Sequence, residues 1–175
     1  TEEYEFDASG GDEWWEPYGS FTLSNGKIWG TARGGGNGGA GVIFNINTDG
    51  TGLTKVHDFV ISEGEEANGG LVEADGKLWG KTLEGGQNGD GVVFSIDTDG
   101  TNFTKVLDLD GDSFGRFSTN PLAVLENKVY GMTEVAGLYD QGTVFSVDPT
   151  NNQSELVRAL NQNDLAYGLE SRLTD

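Results

Sequence analysis

Leu78–Leu109 reads LWGKTLEGGQNGDGVVFSIDTDGTNFTKVLDL, and the chain states this stretch nearly three times. Ile28-Trp29-Gly30 returns as Leu78-Trp79-Gly80 and then as Val129-Tyr130-Gly131. Gly41-Val42-Ile43-Phe44 returns as Gly91-Val92-Val93-Phe94 and as Gly142-Thr143-Val144-Phe145. The tryptophan position moves from 29 to 79 to 130 and the phenylalanine position from 44 to 94 to 145, so both landmarks step by 50 and then by 51 residues. A fixed period of that size with strand-like content signals a propeller or a related array.

Each period carries two hairpins joined by a glycine loop. Ser20-Phe21-Thr22-Leu23 alternates as a strand. Asn25-Gly26 follows, and both residues tolerate the positive φ of a type I′ turn, so Lys27–Thr31 is expected to return beside it. The segment 33–40, RGGGNGGA, is too glycine-rich to predict regular structure. Gly41–Ile46 is the third strand, Asn47-Thr48-Asp49-Gly50-Thr51 a turn, and Leu53–Phe59 the fourth strand. The second copy keeps Asp75-Gly76 and Asp97-Thr98-Asp99-Gly100-Thr101, whereas the third replaces them with Glu126-Asn127 and Asp148-Pro149-Thr150-Asn151-Asn152.

Four antiparallel strands per period predict an all-β fold of β-propeller blades. The expected partition is an end of a preceding blade and a loop over 1–17, blades at 18–67, 68–118 and 119–165, and the first strand of a further blade at 166–175. Three blades cannot close a ring, so the remaining blades are expected from the same chain or from a partner chain.

The 29 glycines and three prolines fit short strands and many turns. With 29 acidic against 10 basic residues the formal charge is −19, which argues against nucleic acid and anionic membrane surfaces as partners. No cysteine is present, so neither a disulfide framework nor thiol chemistry is available. No stretch approaches the roughly eighteen apolar residues of a membrane span, and a basic-then-apolar leader pattern is not found at the start.

The run Gly76-Lys77-Leu78-Trp79-Gly80-Lys81-Thr82, the stretch from Gly85 to Ile96 and the later Asp99-Gly100-Thr101 together resemble the GloVer tandem repeat of bacterial surface proteins. The resemblance covers essentially the whole chain in three copies. It implies a secreted or surface-displayed, propeller-like repeat protein, and it offers no catalytic residues to carry over.

Trp29, Trp79 and Tyr130 share one repeat position and are expected to pack between blades, as are Phe44, Phe94 and Phe145. The loop between last and first strands varies most among the copies, and loops on a rigid scaffold are where function concentrates. There Trp14 and Trp15, flanked by Asp12, Glu13 and Glu16, can stack a sugar ring while carboxylates take its hydroxyls, or they pack under a neighbouring blade. Phe114, Arg116, Phe117 and Tyr167 stand in the corresponding loops. Asp108, Asp110 and Asp112 alternate around Gly111, a pattern that can gather calcium and is also ordinary turn chemistry. His57 is the sole histidine and sits on a repeated strand, where a structural or solvent-facing role is expected.

These residues point first to a non-catalytic binding or adhesion module, outside the cell or on its surface, with a glycan or protein as ligand. Two alternatives stand beside it: part of a carbohydrate-active enzyme using paired carboxylates, and a structural accessory subunit of a larger surface assembly.

Overall fold

The structure, a computed structural model, describes residues 14–162 and residue 164. Residues 1–13 of the expected preceding-blade end and loop, and the expected first strand at 166–175, lie outside the described residues, Asp12 and Tyr167 among them.

Twelve strands form three consecutive four-stranded antiparallel meanders among the described residues. Unit 1 is β1 (Trp14–Ser24), β2 (Lys27–Gly35), β3 (Val42–Asn47) and β4 (Thr54–Asp58). Unit 2 is β5 (Glu65–Ala74), β6 (Lys77–Glu84), β7 (Val92–Asp97) and β8 (Thr104–Asp108). Unit 3 is β9 (Ala123–Leu125), β10 (Lys128–Met132), β11 (Thr143–Asp148) and β12 (Gln153–Ala159). A 3-10 turn, Ile61–Glu63, leads from unit 1 into unit 2. The fold is all-β and propeller-like, and its repeat is the tandem one the spacing predicts.

The first strands start earlier than expected. β1 begins at Trp14 and β5 at Glu65, because Trp15 and Pro17 pair with Gly34 and Ala32, and Glu65 and Ala67 pair with Glu84 and Thr82. Trp14–Pro17 is therefore strand and not loop, and Arg33–Gly35 continues β2 despite its glycines. Glycine weakens a strand without forbidding it, and here a partner strand supplies the hydrogen bonds. The first strand widens by two residues midway, between Tyr18 and Thr22 and again between Asn68 and Val72. At this bulge the inner strands of units 1 and 2 meet in a parallel bridge, Ser20 with Gly70. At the third repeat the same place is held by Pro121, which has no N–H to donate to such a bridge, and β5 and β9 are not hydrogen-bonded.

The turns obey local chemistry in all three units. Asn25-Gly26 and Asp75-Gly76 both have positive φ, and Glu126 and Asn127 hold the same conformation at 49° and 59° without a glycine. At the outer turns Asp49 and Asp99 each accept hydrogen bonds from the backbone N–H and the hydroxyl of the threonine two residues on. Asp148 does the same with Thr150, although it stands two repeat positions earlier.

Packing between units uses Trp29, Trp79, Phe94 and Phe145 of the periodic residues, whereas Phe44 packs within unit 1 and Tyr130, half-buried, lines a surface cleft of unit 3. Trp29, Ile43 and Phe59 of unit 1 bury against Leu71, Leu78, Phe94 and Ile96 of unit 2. Trp79, Val93 and Leu109 of unit 2 bury in turn against Leu122, Val129, Phe145 and Val147 of unit 3. Each such apolar side chain taken from water contributes about 1.5–3 kcal/mol. Each tryptophan also donates its indole N–H to the carbonyl five residues back, Trp29 to Ser24 at 3.2 Å and Trp79 to Ala74 at 3.1 Å. His57 stacks on Phe103 of unit 2 with centroids 3.8 Å apart and faces Glu63, so its role is in the seam between units.

Candidate functional site

The inner strands begin at one end of the array, beside the closing residues of the second strands, and charged groups collect there. Glu16, Glu66 and Phe117 occupy one repeat position, and all three have left-handed backbones, with φ of 56°, 57° and 55°. L-residues seldom adopt that conformation, and its recurrence marks a place where the surrounding pairing over-determines the backbone.

Arg33, on β2, is the centre of the first group. Its guanidinium lies 5.4 Å from the centroid of the Tyr18 ring and donates to Glu66 of unit 2. That hydrogen bond, and then the charges of Glu66 and Glu16, hold the guanidinium more firmly protonated than usual. Tyr18 is 48% exposed, so one part of this stack faces water. The Arg33–Glu66 pair also ties unit 1 to unit 2.

Lys81 is the second feature. It is 1% exposed on β6, and its ammonium donates to the backbone carbonyl of Ser118 at the start of unit 3. Burial lowers its pKa to about 7, opposed by the charge of Glu134. Asn68, its partner across β5 and β6, is buried with its Oδ1 unpaired. Glu134 in turn accepts from Thr119, and Ser118 donates to the carbonyl of Met132.

The third group is Arg116 and Phe117. The guanidinium stands 5.3 Å from the ring centroid, and Phe117 is 40% exposed. Arg116 bridges Val135 through its backbone, as Glu65 pairs with Glu84 in unit 2. Glu16, Arg116 and Phe117 thus lie at the inner-strand end, with Glu16 inside β1 and not in the loop expected for it.

Other expected site residues go elsewhere. Trp14 packs against Phe44 with ring centroids 4.8 Å apart and belongs to an apolar cluster on unit 1, as a packing residue would. The backbone of Trp15 pairs with Gly34, and its side chain lies outside the described residues. Phe114 meets Phe145 edge-on at 6.3 Å, inside the seam between units 2 and 3. Asp108 accepts from Lys105 and from the backbone of Gln87, fastening the glycine loop to β8 as Asp58 does with Lys55 and Asn37 in unit 1. Asp110 accepts from the N–H groups of Ser113 and Phe114, and Asp112 is exposed. Among the described residues no cluster of three His, Cys, Asp or Glu side chains is placed to hold a metal ion.

Arg33, Tyr18, Glu66 and Lys81 are functional candidates that sequence reasoning passed over. A signal for Lys81 existed: it stands where the other copies carry Thr31 and Met132, an ionisable residue among neutral ones at a recurring position. No such signal marks Arg33 and Glu66, whose pairing depends on two units meeting. The end as a whole offers exposed aromatic faces, two guanidinium groups and flanking carboxylates. Such a set can stack on a ring and hydrogen-bond hydroxyls or a peptide backbone.

No curated protein sequence matches the chain. Among solved structures, the tricorn protease is similar in fold, with a TM-score of 0.52 at 15% identity over 81% of this chain and 13% of that one. This likeness shows a propeller-like arrangement alone, since the chain spans 13% of that protein's length. The Gloeobacter/Verrucomicrobia repeat matches residues 3–175, and the chain belongs to that repeat family.

Proposed function

We propose that the three units are an arc of a β-propeller acting as a non-catalytic binding module, extracellular or on a cell surface, with a glycan or protein ligand seated on the inner-strand end. The observation that carries this reading is the pair of exposed aromatic rings, Tyr18 and Phe117, each covered on one side by a guanidinium, Arg33 and Arg116. An exposed aromatic residue whose position is held by a stacked arginine loses little conformational freedom when a ligand lies against it. Glu16 and Glu66 lie near the same Arg33 guanidinium and are suited to accept hydroxyl or amide hydrogens.

The test is binding to a panel of immobilised glycans and surface proteins, compared with Tyr18→Ala and Phe117→Ala. Loss of about tenfold or more in affinity, with unchanged circular dichroism, is the expected result for at least one ring. Retention of every captured ligand by the double variant removes the reading.

A further inference from the structure

We propose that the open faces of unit 1 and unit 3 are the two halves of a head-to-tail interface between copies of this chain. This goes beyond the ligand reading and does not depend on it. The internal seams supply the argument. In both, a leucine of one unit, Leu71 on β5 or Leu122 just ahead of β9, buries in one cluster with the tryptophan of the preceding unit, Trp29 or Trp79. Counting by the repeat, position 71 corresponds to 21 and position 79 to 130. Phe21 is 65% exposed on the free side of unit 1, whereas its counterpart Leu71 is 2% exposed.

Tyr130 lies on the free side of unit 3 and lines a cleft of about 310 Å³ with Pro121, Ala123, Gly131, Met132 and Val144. Val157 is half exposed on the same unit, where its counterparts Val56 and Val106 pack into the seams. The chain therefore carries a protruding aromatic at one end and an apolar cleft at the other, at positions that already fit together twice inside it. The occupant that matches both faces at once is a second copy. Contacts of this kind are heterologous and either close a ring or extend a filament.

The net charge of −19 opposes association, so added salt strengthens it while leaving the apolar contact intact. The experiment is sedimentation equilibrium of the 175-residue chain across concentration and salt, with Phe21→Asp on one face and Val157→Asp or Tyr130→Asp on the other. The wild-type protein is expected to associate to a multiple of 18.6 kDa, more tightly at higher salt. Each variant alone is expected to stay monomeric, weakened by about tenfold or more. Mixing a unit 1 variant with a unit 3 variant is expected to restore a one-to-one pair, since one intact head then meets one intact tail. Circular dichroism identifies a variant that has unfolded, and the exposed Val157 site replaces Tyr130 in that case. A monomeric wild type, an assembly indifferent to both faces, or a mixture that stays monomeric overturns the proposal; a monomer in particular assigns the faces to other repeat units or to an unrelated partner.

Discussion

Gly30 lies beneath the ring of Phe44, its partner across β2 and β3, so that a Cβ added to the glycine would stand 2.7 Å from the ring's Cζ. Gly80 and Phe94, and Gly131 and Phe145, repeat the relationship. This is why the aromatic-Gly pair and the later Phe travel together through the sequence: the ring crosses the neighbouring strand where a side chain would be.

Gly80→Ala is expected to cost about 1–3 kcal/mol, because Phe94 and Leu71 are enclosed in the seam and cannot move aside. Gly30→Ala is expected to cost less, since its added Cβ would stand 2.7 Å from Phe44 where that of Gly80 would stand 2.4 Å from Phe94, and its second neighbour, Phe21, faces solvent and can rotate away. Urea denaturation of the two variants measures the difference, and equal costs would show that enclosure of the ring does not set the penalty.

Trp79→Phe removes both volume and the hydrogen bond to the Ala74 carbonyl, and a loss of about 1–3 kcal/mol is expected. The thermal midpoint of this variant is the readout. Tyr130, which takes the same repeat position on the free face of unit 3, tolerates Phe with a smaller effect, because that position is not enclosed on both sides.

Lys81→Met places in unit 2 the residue that unit 3 carries at Met132. The folded protein releases the Lys81 proton near pH 7, while the unfolded chain keeps it to about 10.5. Between those values the unfolded state binds more protons, so the stability of the wild-type protein rises with pH, by at most about 1.4 kcal/mol per unit from this group. The cost of burying the charge is greatest below pH 7. Chemical denaturation at pH 6.5, 8 and 9.5 should show the rise in the wild type and its loss in Lys81→Met; parallel curves would refute it.

Asp99→Ala removes the acceptor for the Thr101 N–H and hydroxyl, bonds that hold the Asp99 carboxyl below its usual range. The folded pKa is depressed, so the contribution is present above the ordinary carboxylate pKa and fades as pH falls through the folded value. The variant is expected to be less stable than wild type at neutral pH and to converge with it in acid, as followed by thermal melts. Divergence that persists in strong acid would contradict the assignment.

What the sequence determined by itself was local. Positive-φ turns call for Asn-Gly or Asp-Gly, the Asp-x-Thr turns close on their own hydrogen bonds, and a two-residue alternation fixes which side chains face a neighbour. Those preferences act over a few residues, and repetition at one period identified the units. The site depended on contacts that no local rule contains. Arg33 finds Glu66 across a seam between units, 33 residues on, and Lys81 finds the Ser118 carbonyl 37 residues on. Trp14 and Glu16 are two residues apart, yet one packs on Phe44 and the other stands in the charged group around Arg33, because a strand sends those side chains wherever its pairing and its left-handed residue direct them. Only the packing of one unit on the next decides which polar residues are buried together and which aromatic faces remain in water.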